Sequence, residues 1–172
     1  MEIQQLFSAD QIQARIKELG QQISQDFAGQ EVLAVPILTG ALIFAADLIR
    51  QIHGVDLQIQ CMAASSYHGQ TTSSGEVEIL FDLKSNIAQK NILLIEDIVD
   101  TGTTLTKLRP ILLARRPKQL RLASLLSKPA RRIHEVAIDY LGFEVPNQYV
   151  VGYGFDHHGL LRELPYIGVL PS

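Results

Sequence analysis

Ile92-Leu93-Leu94-Ile95-Glu96-Asp97-Ile98-Val99-Asp100-Thr101-Gly102-Thr103-Thr104-Leu105 decides how this chain is read. Consecutive apolar residues without polar alternation have the pattern of a strand buried on both faces. The run then delivers two adjacent carboxylates, Glu96 and Asp97, and a third, Asp100, directly before a Gly-Thr turn from which helical composition resumes. In an open parallel sheet, ligands bind beyond the carboxyl ends of the strands, where such a turn lies. Amide N–H groups of Gly102 to Leu105, unpaired at a helix start and aided by its dipole, suit a phosphate. The hydroxyls of Thr101, Thr103 and Thr104 add donors. Carboxylates this close repel a phosphate unless they bind something else, such as ribose hydroxyls or a Mg2+ shared with the ligand. A phosphorylated sugar meets both demands. An ordinary helix start accounts for Asp100 as an N-cap, but not for the whole string.

The flanking sequence supplies the rest of an α/β fold. Ser8 and Gln11 have capping-box spacing, and Ile12, Ile16, Leu19, Ile23 and Phe27 follow at helical intervals, so the chain opens with an amphipathic helix closed by Gly29. Val32 to Leu38 reads as a strand, Thr39-Gly40 as a tight turn and Ala41 to Ile52 as a helix. Leu57 to Ala63 is another strand, followed by a long loop from Ser65 to Gly75 rich in Ser, Thr, Gly and Gln. Val77 to Leu80, Asn91 to Ile98 and Leu120 to Leu126 are further strands, with a helix over Thr103 to Ala114 that ends at Arg115-Arg116-Pro117. Strands alternating with helices imply a mainly parallel central sheet with helices on both faces. Beyond Pro129 the short runs Tyr140 to Val145, Tyr149 to Tyr153 and Ile167 to Leu170 suggest a small strand-rich hood. One domain over residues 1–172 is expected, with a core of about residues 30–128 and a hood built from the N-terminal segment and about residues 129–172.

Composition excludes several classes. The 172 residues carry 15 Lys+Arg against 18 Asp+Glu, a net charge of −3, which argues against the basic face that grips nucleic acid. The longest apolar stretch, Ala34 to Ala46, is broken by Pro36, Thr39 and Gly40 and falls short of the ~20 residues of a membrane span. The N-terminus lacks the basic-then-apolar order of a signal peptide, and the one cysteine, Cys61, is expected to be a small buried hydrophobe in a reducing, cytoplasmic setting. No G-x-x-x-x-G-K-[ST] loop occurs, and Gly152-Tyr153-Gly154 lacks the third glycine of a dinucleotide fingerprint.

The Ile92 to Leu105 string resembles the phosphoribosyl-pyrophosphate signature of the type I phosphoribosyltransferases. Leu38-Thr39-Gly40-Ala41 is similar to their pyrophosphate turn, and Ser65-Ser66-Tyr67 through Ser74-Gly75 to their catalytic lid. Ser124 to Pro129 is similar to the purine-oxygen site, and Tyr149 to Asp156 to the purine hood. In this order the segments resemble the bacterial hypoxanthine-guanine branch over nearly the whole chain. The resemblance implies a purine-salvage enzyme that joins hypoxanthine or guanine to phosphoribosyl pyrophosphate, giving IMP or GMP and pyrophosphate. It implies Mg2+ as cofactor, with Glu96, Asp97 and Asp156 on the metal and Glu96 and Asp97 also on ribose. Asp100 becomes the general base, and Thr101, Gly102, Thr103 and Thr104 the phosphate site. Thr39, Gly40 and Arg162 hold pyrophosphate; Lys128, Tyr149, Val150 and Asp156 hold the purine; Ser66 and Tyr67 belong to the lid. A homodimer or homotetramer is implied as well, with no nucleic-acid or membrane partner.

Two departures stand out. Thr39 replaces a basic residue, which shifts the pyrophosphate contact onto the amides of Thr39, Gly40 and Ala41, in a turn where the family can hold a cis peptide. His157-His158-Gly159 follows Asp156 in place of a Tyr; adjacent imidazoles without partners at ligand spacing make a poor metal site. A competing reading is a non-catalytic regulator that keeps the fold and senses phosphoribosyl pyrophosphate or nucleotides. Such a protein is expected to lose the lid or purine groups, or to carry a basic surface.

Overall fold

The computed structural model describes residues 2–66 and 77–171. Ser8 opens the first helix as expected: its hydroxyl accepts from Gln11 N–H at 3.2 Å while Gln11 Oε1 accepts from Ser8 N–H at 2.9 Å. The helix that follows, α1 (Ala9–Asp26), buries Ile12, Ile16, Leu19 and Ile23 completely, with Phe27 sealing its end.

The central sheet is built from β2 (Glu31–Leu38), β3 (Asp56–Ile59), β4 (Met62–Ser66), β5 (Val77–Phe81), β6 (Asn91–Val99), β7 (Gln119–Ser127) and β8 (Tyr140–Glu144). Its order is β5-β4-β2-β6-β7-β8, with β3 paired to β2, and every pairing is parallel except β4 with β5. β3 and β4 keep one register along β2, Ala34 opposite Ile59 and Ile37 opposite Met62, so they are one edge strand interrupted at Gln60-Cys61. Alternate residues face opposite layers. Val32, Ala34, Leu93, Ile95, Ala123 and Leu125 pack under α1 and α2 (Leu42–Ile49), whereas Leu33, Val35, Ile92, Leu94 and Leu122 pack under α3 (Thr103–Ala114). A second, three-stranded antiparallel sheet joins β1 (Gln4–Phe7), β10 (Ile167–Val169) and β9 (Val150–Val151) in that order.

Three expectations need correction. The run from Tyr140 is not in the hood: Ala123 pairs with Tyr140 and Ser127 with Glu144, so β8 extends the main sheet past residue 128. Its backbone carbonyls are fastened to α1, with Arg15 Nε donating to Gly142 C=O at 3.0 Å and Nη2 to Leu141 C=O at 2.7 Å. Most of the N-terminal segment likewise belongs to the core, since α1 packs on the main sheet and only β1 enters the hood. Cys61 is half-buried rather than buried, because β5 ends opposite Ala63 and leaves the strand break open at its side. The expected lid lies outside the described residues, apart from the backbone of Ser65 and Ser66 at the end of β4.

Candidate active site

The site follows from unequal strand lengths. Pairing of β2 with β6 stops at Pro36 opposite Ile95, while β6 runs on to Val99 against Ser127 of β7. Glu96 and Asp97 therefore lie past the last β2–β6 pair, beside the end of β2, whose chain turns away through Thr39-Gly40. The Leu38–Thr39 peptide is cis, and Leu42 N–H donating to Thr39 C=O at 3.1 Å closes the turn. A Cβ on Gly40 would stand 1.8 Å from Asp97 Oδ2, so only glycine lets this turn lie against the carboxylate. Ala41 N–H points back to Ile37 C=O at 3.4 Å, which takes one of the three expected amide donors away from a ligand.

At the end of β6 the chain reverses through Gly102, held at φ 83°, where a Cβ would fall 2.4 Å from His134 C=O. This glycine stands at the N-cap of α3 and has no side chain with which to cap it. Thr101 differs from expectation: its hydroxyl hydrogen-bonds to Thr103 Oγ1 at 3.0 Å and accepts from Thr103 N–H at 3.3 Å, so it braces the turn. Residues Glu96 through Leu105, with Arg131 and Ile133, line a cavity of about 490 Å3. Beside it, Asp97, Ile98, Asp100, Lys128, Tyr149, Val150, Phe155, Asp156 and Arg162 line a second of about 160 Å3. Asp97, Ile98 and Asp100 belong to both.

Charge is distributed unevenly here. Glu96 Oε2 is shut from solvent without a hydrogen-bond partner. Burial, then repulsion from Asp97, pushes the Glu96 carboxyl well above the usual range, and burial raises Asp97 too, although Ile98 N–H donates to it at 2.7 Å. Asp100 Oδ1 is also closed off and lies 3.2 Å from Arg131 Nε. Lys128 is 6% exposed; burial pulls its ammonium below the ordinary value, Asp100 opposes that and Arg131 adds to it. Asp156 has both oxygens engaged, Oδ1 by Arg162 Nη2 and Oδ2 by Gly159 N–H, each at 2.7 Å. Tyr149 is exposed, donates to Asp156 C=O at 3.0 Å and meets the His157 ring edge-on at 5.6 Å.

The structure thus gathers Thr39, Gly40, Glu96, Asp97, Asp100, Lys128, Tyr149, Val150, Asp156 and Arg162 around one cleft. Ser66 and Tyr67 fall on the undescribed lid. Arg131, Ile133 and Phe155 were missed as site residues; the basic pair Arg131-Arg132 just past the Lys128-Pro129 break was the available signal. Among the described residues, no three His, Cys, Asp or Glu side chains cluster as a ready metal site.

Residues 2–158 match the family model described as the phosphoribosyl transferase domain. A hypoxanthine-guanine phosphoribosyltransferase of Streptococcus mutans is 44% identical over 165 residues, covering 96% of this chain and 91% of that one. One from Staphylococcus aureus is 45% identical, over 96% and 92%. A crystal structure of a Staphylococcus aureus hypoxanthine phosphoribosyltransferase superimposes with a TM-score of 0.93 at 44% identity, covering 98% of this chain and 91% of that one.

Proposed function

The chain belongs to the phosphoribosyl transferase family, and from that premise we propose that it is a purine-salvage pentosyltransferase making IMP or GMP from hypoxanthine or guanine and phosphoribosyl pyrophosphate. The observation that carries the reading is Asp100, which borders the larger and the smaller cavity at once. The larger, walled by the amides and hydroxyls of the Thr101 to Leu105 turn, suits a 5-phosphate and its ribose. The smaller, with a buried lysine and an exposed tyrosine, suits a flat base that offers an oxygen.

Transfer requires a bond from a purine ring nitrogen to the sugar's anomeric carbon as the bond from that carbon to pyrophosphate breaks. The electron pair of the broken bond leaves with pyrophosphate, and the ring N–H proton must go elsewhere. Asp100, at the junction, takes that proton as general base. Lys128 donates to the exocyclic oxygen, which favours 6-oxopurines over adenine, while Tyr149 stacks on the ring and the Val150 backbone meets its edge. Glu96 and Asp97 hold the ribose hydroxyls, and their negative charge faces the cationic sugar of the transition state. Gly40, Thr39 and Arg162 receive pyrophosphate. Arg162 is held meanwhile by Asp156 and Gly154 C=O.

The Glu96–Asp97 pair fits a hard divalent cation. It offers only oxygen donors, one of them a buried oxygen without a partner. Mg2+ bound there supplies Lewis-acid stabilisation of the leaving pyrophosphate. Among the described residues no cluster of three metal-ligating side chains stands here, and Mg2+ would not need one, since one or two carboxylates suffice alongside water and substrate phosphates. Asp156, expected as a further ligand, is held by Arg162.

The regulator reading is not favoured, since Asp100 and Lys128 are both in the cleft. No described helix is long and apolar enough to cross a membrane; a cytoplasmic setting and a homodimer or homotetramer are part of the proposal. The test is nucleotide formation from phosphoribosyl pyrophosphate and Mg2+ with hypoxanthine, guanine, xanthine or adenine in turn. Turnover of hypoxanthine or guanine but not adenine is expected. Turnover of adenine alone contradicts the role of Lys128, and turnover of none contradicts the enzyme reading.

A further inference from the structure

A partly buried contact fastens the hood to the core, and the chemistry above does not use it. The hood chain turns through Gly152, Tyr153 and Gly154 at φ 87°, 50° and 102°, three successive residues in the left-handed region. A tyrosine there is disfavoured and must be held. Its N–H donates to Leu164 C=O at 2.8 Å, and its ring, 4% exposed, sits in the core under α1 and α2. The hydroxyl donates to Asp47 Oδ2 in α2, and Gln13 Nε2 of α1 donates to that same oxygen at 2.8 Å and to the Tyr153 hydroxyl at 3.4 Å. Arg50 pairs with the other Asp47 oxygen.

This anchor touches both sides of the site. α2 begins two residues after Gly40, so Asp47 and the pyrophosphate turn ride on one short helix. Gly154, next to Tyr153, packs against that turn: a Cβ on it would stand 2.3 Å from Gly40 C=O. Arg162 donates to Gly154 C=O, and its backbone C=O accepts from Gly154 N–H at 3.0 Å. Contacts therefore run unbroken from Asp47 through Tyr153 and Gly154 to Gly40 and Asp97.

We propose that Tyr153 is a positioning residue: its hydroxyl, held by Asp47 and Gln13, sets the Gly152–Gly154 turn against the Thr39-Gly40 turn and so fixes the pyrophosphate side of the site relative to the base side. The inference rests on the phosphoribosyl-transfer reading. Tyr153→Phe removes only the hydroxyl and keeps the ring in the core. With wild type active, it raises KM for phosphoribosyl pyrophosphate about tenfold, the scale of a sub-ångström misplacement, and leaves KM for hypoxanthine within about twofold. Asp47→Asn, which keeps a carbonyl acceptor, stays near wild type. Asp47→Ala reproduces Tyr153→Phe, and the double variant is no worse than either single one. Unchanged KM values in Tyr153→Phe, with or without a fall in Tm, overturn the proposal, as do fully additive losses in the double variant. If Tyr153→Phe fails to fold, the contrast between Asp47→Asn and Asp47→Ala decides alone: equal KM values overturn the proposal. An inactive wild type instead refutes the phosphoribosyl-transfer reading beneath it.

Discussion

Glu96 is the residue at which function and stability pull in opposite directions. Its buried oxygen has no partner, and a charge held there costs the folded state free energy. Because its folded pKa lies above the ordinary 4.5, stability is lost as pH rises from that value through the raised one. Glu96→Gln removes the charge at nearly constant shape. In the absence of Mg2+ and substrate, it should be more stable than wild type by about 1 kcal/mol at pH 7, about 2–4 °C in Tm. That gap should close as pH falls toward 4.5, and the same variant should bind phosphoribosyl pyrophosphate more weakly; a lower Tm at pH 7 contradicts the picture. The carboxylates were legible in the sequence because they are adjacent and follow a buried strand. Arg131 and Phe155 were not, since each enters the cleft through a fold that brings it to Asp100 or Lys128. Tyr153 and Asp47, 106 positions apart, carry no local signal of their pairing.

At the scale of elements, local chemistry was read well where one segment determines its own structure. The Ser8-Gln11 box starts α1 as its spacing implies, and the buried stripe from Ile12 to Phe27 keeps a helical period. Ser8→Ala should lower stability by about 1 kcal/mol, measured by urea unfolding, without altering the site. Placement by partner choice was less legible. β8 is a short, mostly apolar strand whose composition suits a hood strand as well as a sheet edge, and the Arg15 contacts and the β7 ladder decide. β9 is shorter than the run Tyr149 to Tyr153 because the left-handed turn at Gly152 ends it. The end of α3 is pinned near β5 by Arg115, whose guanidinium grips Asp82 at 2.8 and 2.6 Å and holds that carboxyl below the usual range. Stability from this half-exposed pair is present above the unfolded pKa of 3.8 and is lost as pH falls through the lower folded value. Asp82→Asn should therefore cost roughly 0.2–1 kcal/mol at pH 7, less in high salt, and nothing once both states are protonated. A cost that persists at low pH contradicts an ionic origin.

Over the whole molecule, a faintly acidic chain makes a site for a polyanion by separating the tasks. Acid gathers at Glu96, Asp97, Asp100 and Asp156, while backbone amides at the Gly40 and Gly102 turns, with Arg131 and Arg162, are the groups that would meet the anionic parts of the proposed substrate. The long β6–β7 ladder carries the carboxylates beyond the last β2–β6 pair, α2 and α3 start from the two turns, and the hood closes over them through Gly154. Most of this plan was readable from strand and turn order; the hood's docking was not, because it depends on contacts between distant segments. The central claim is that Asp100 works at the junction of a sugar-phosphate cavity and a base cavity. Single-turnover IMP formation from hypoxanthine, phosphoribosyl pyrophosphate and Mg2+ by wild type and Asp100→Asn tests it most directly. The expected result is a rate at least about a hundredfold lower for Asp100→Asn with substrate affinities within a few-fold of wild type; an undiminished rate would contradict it.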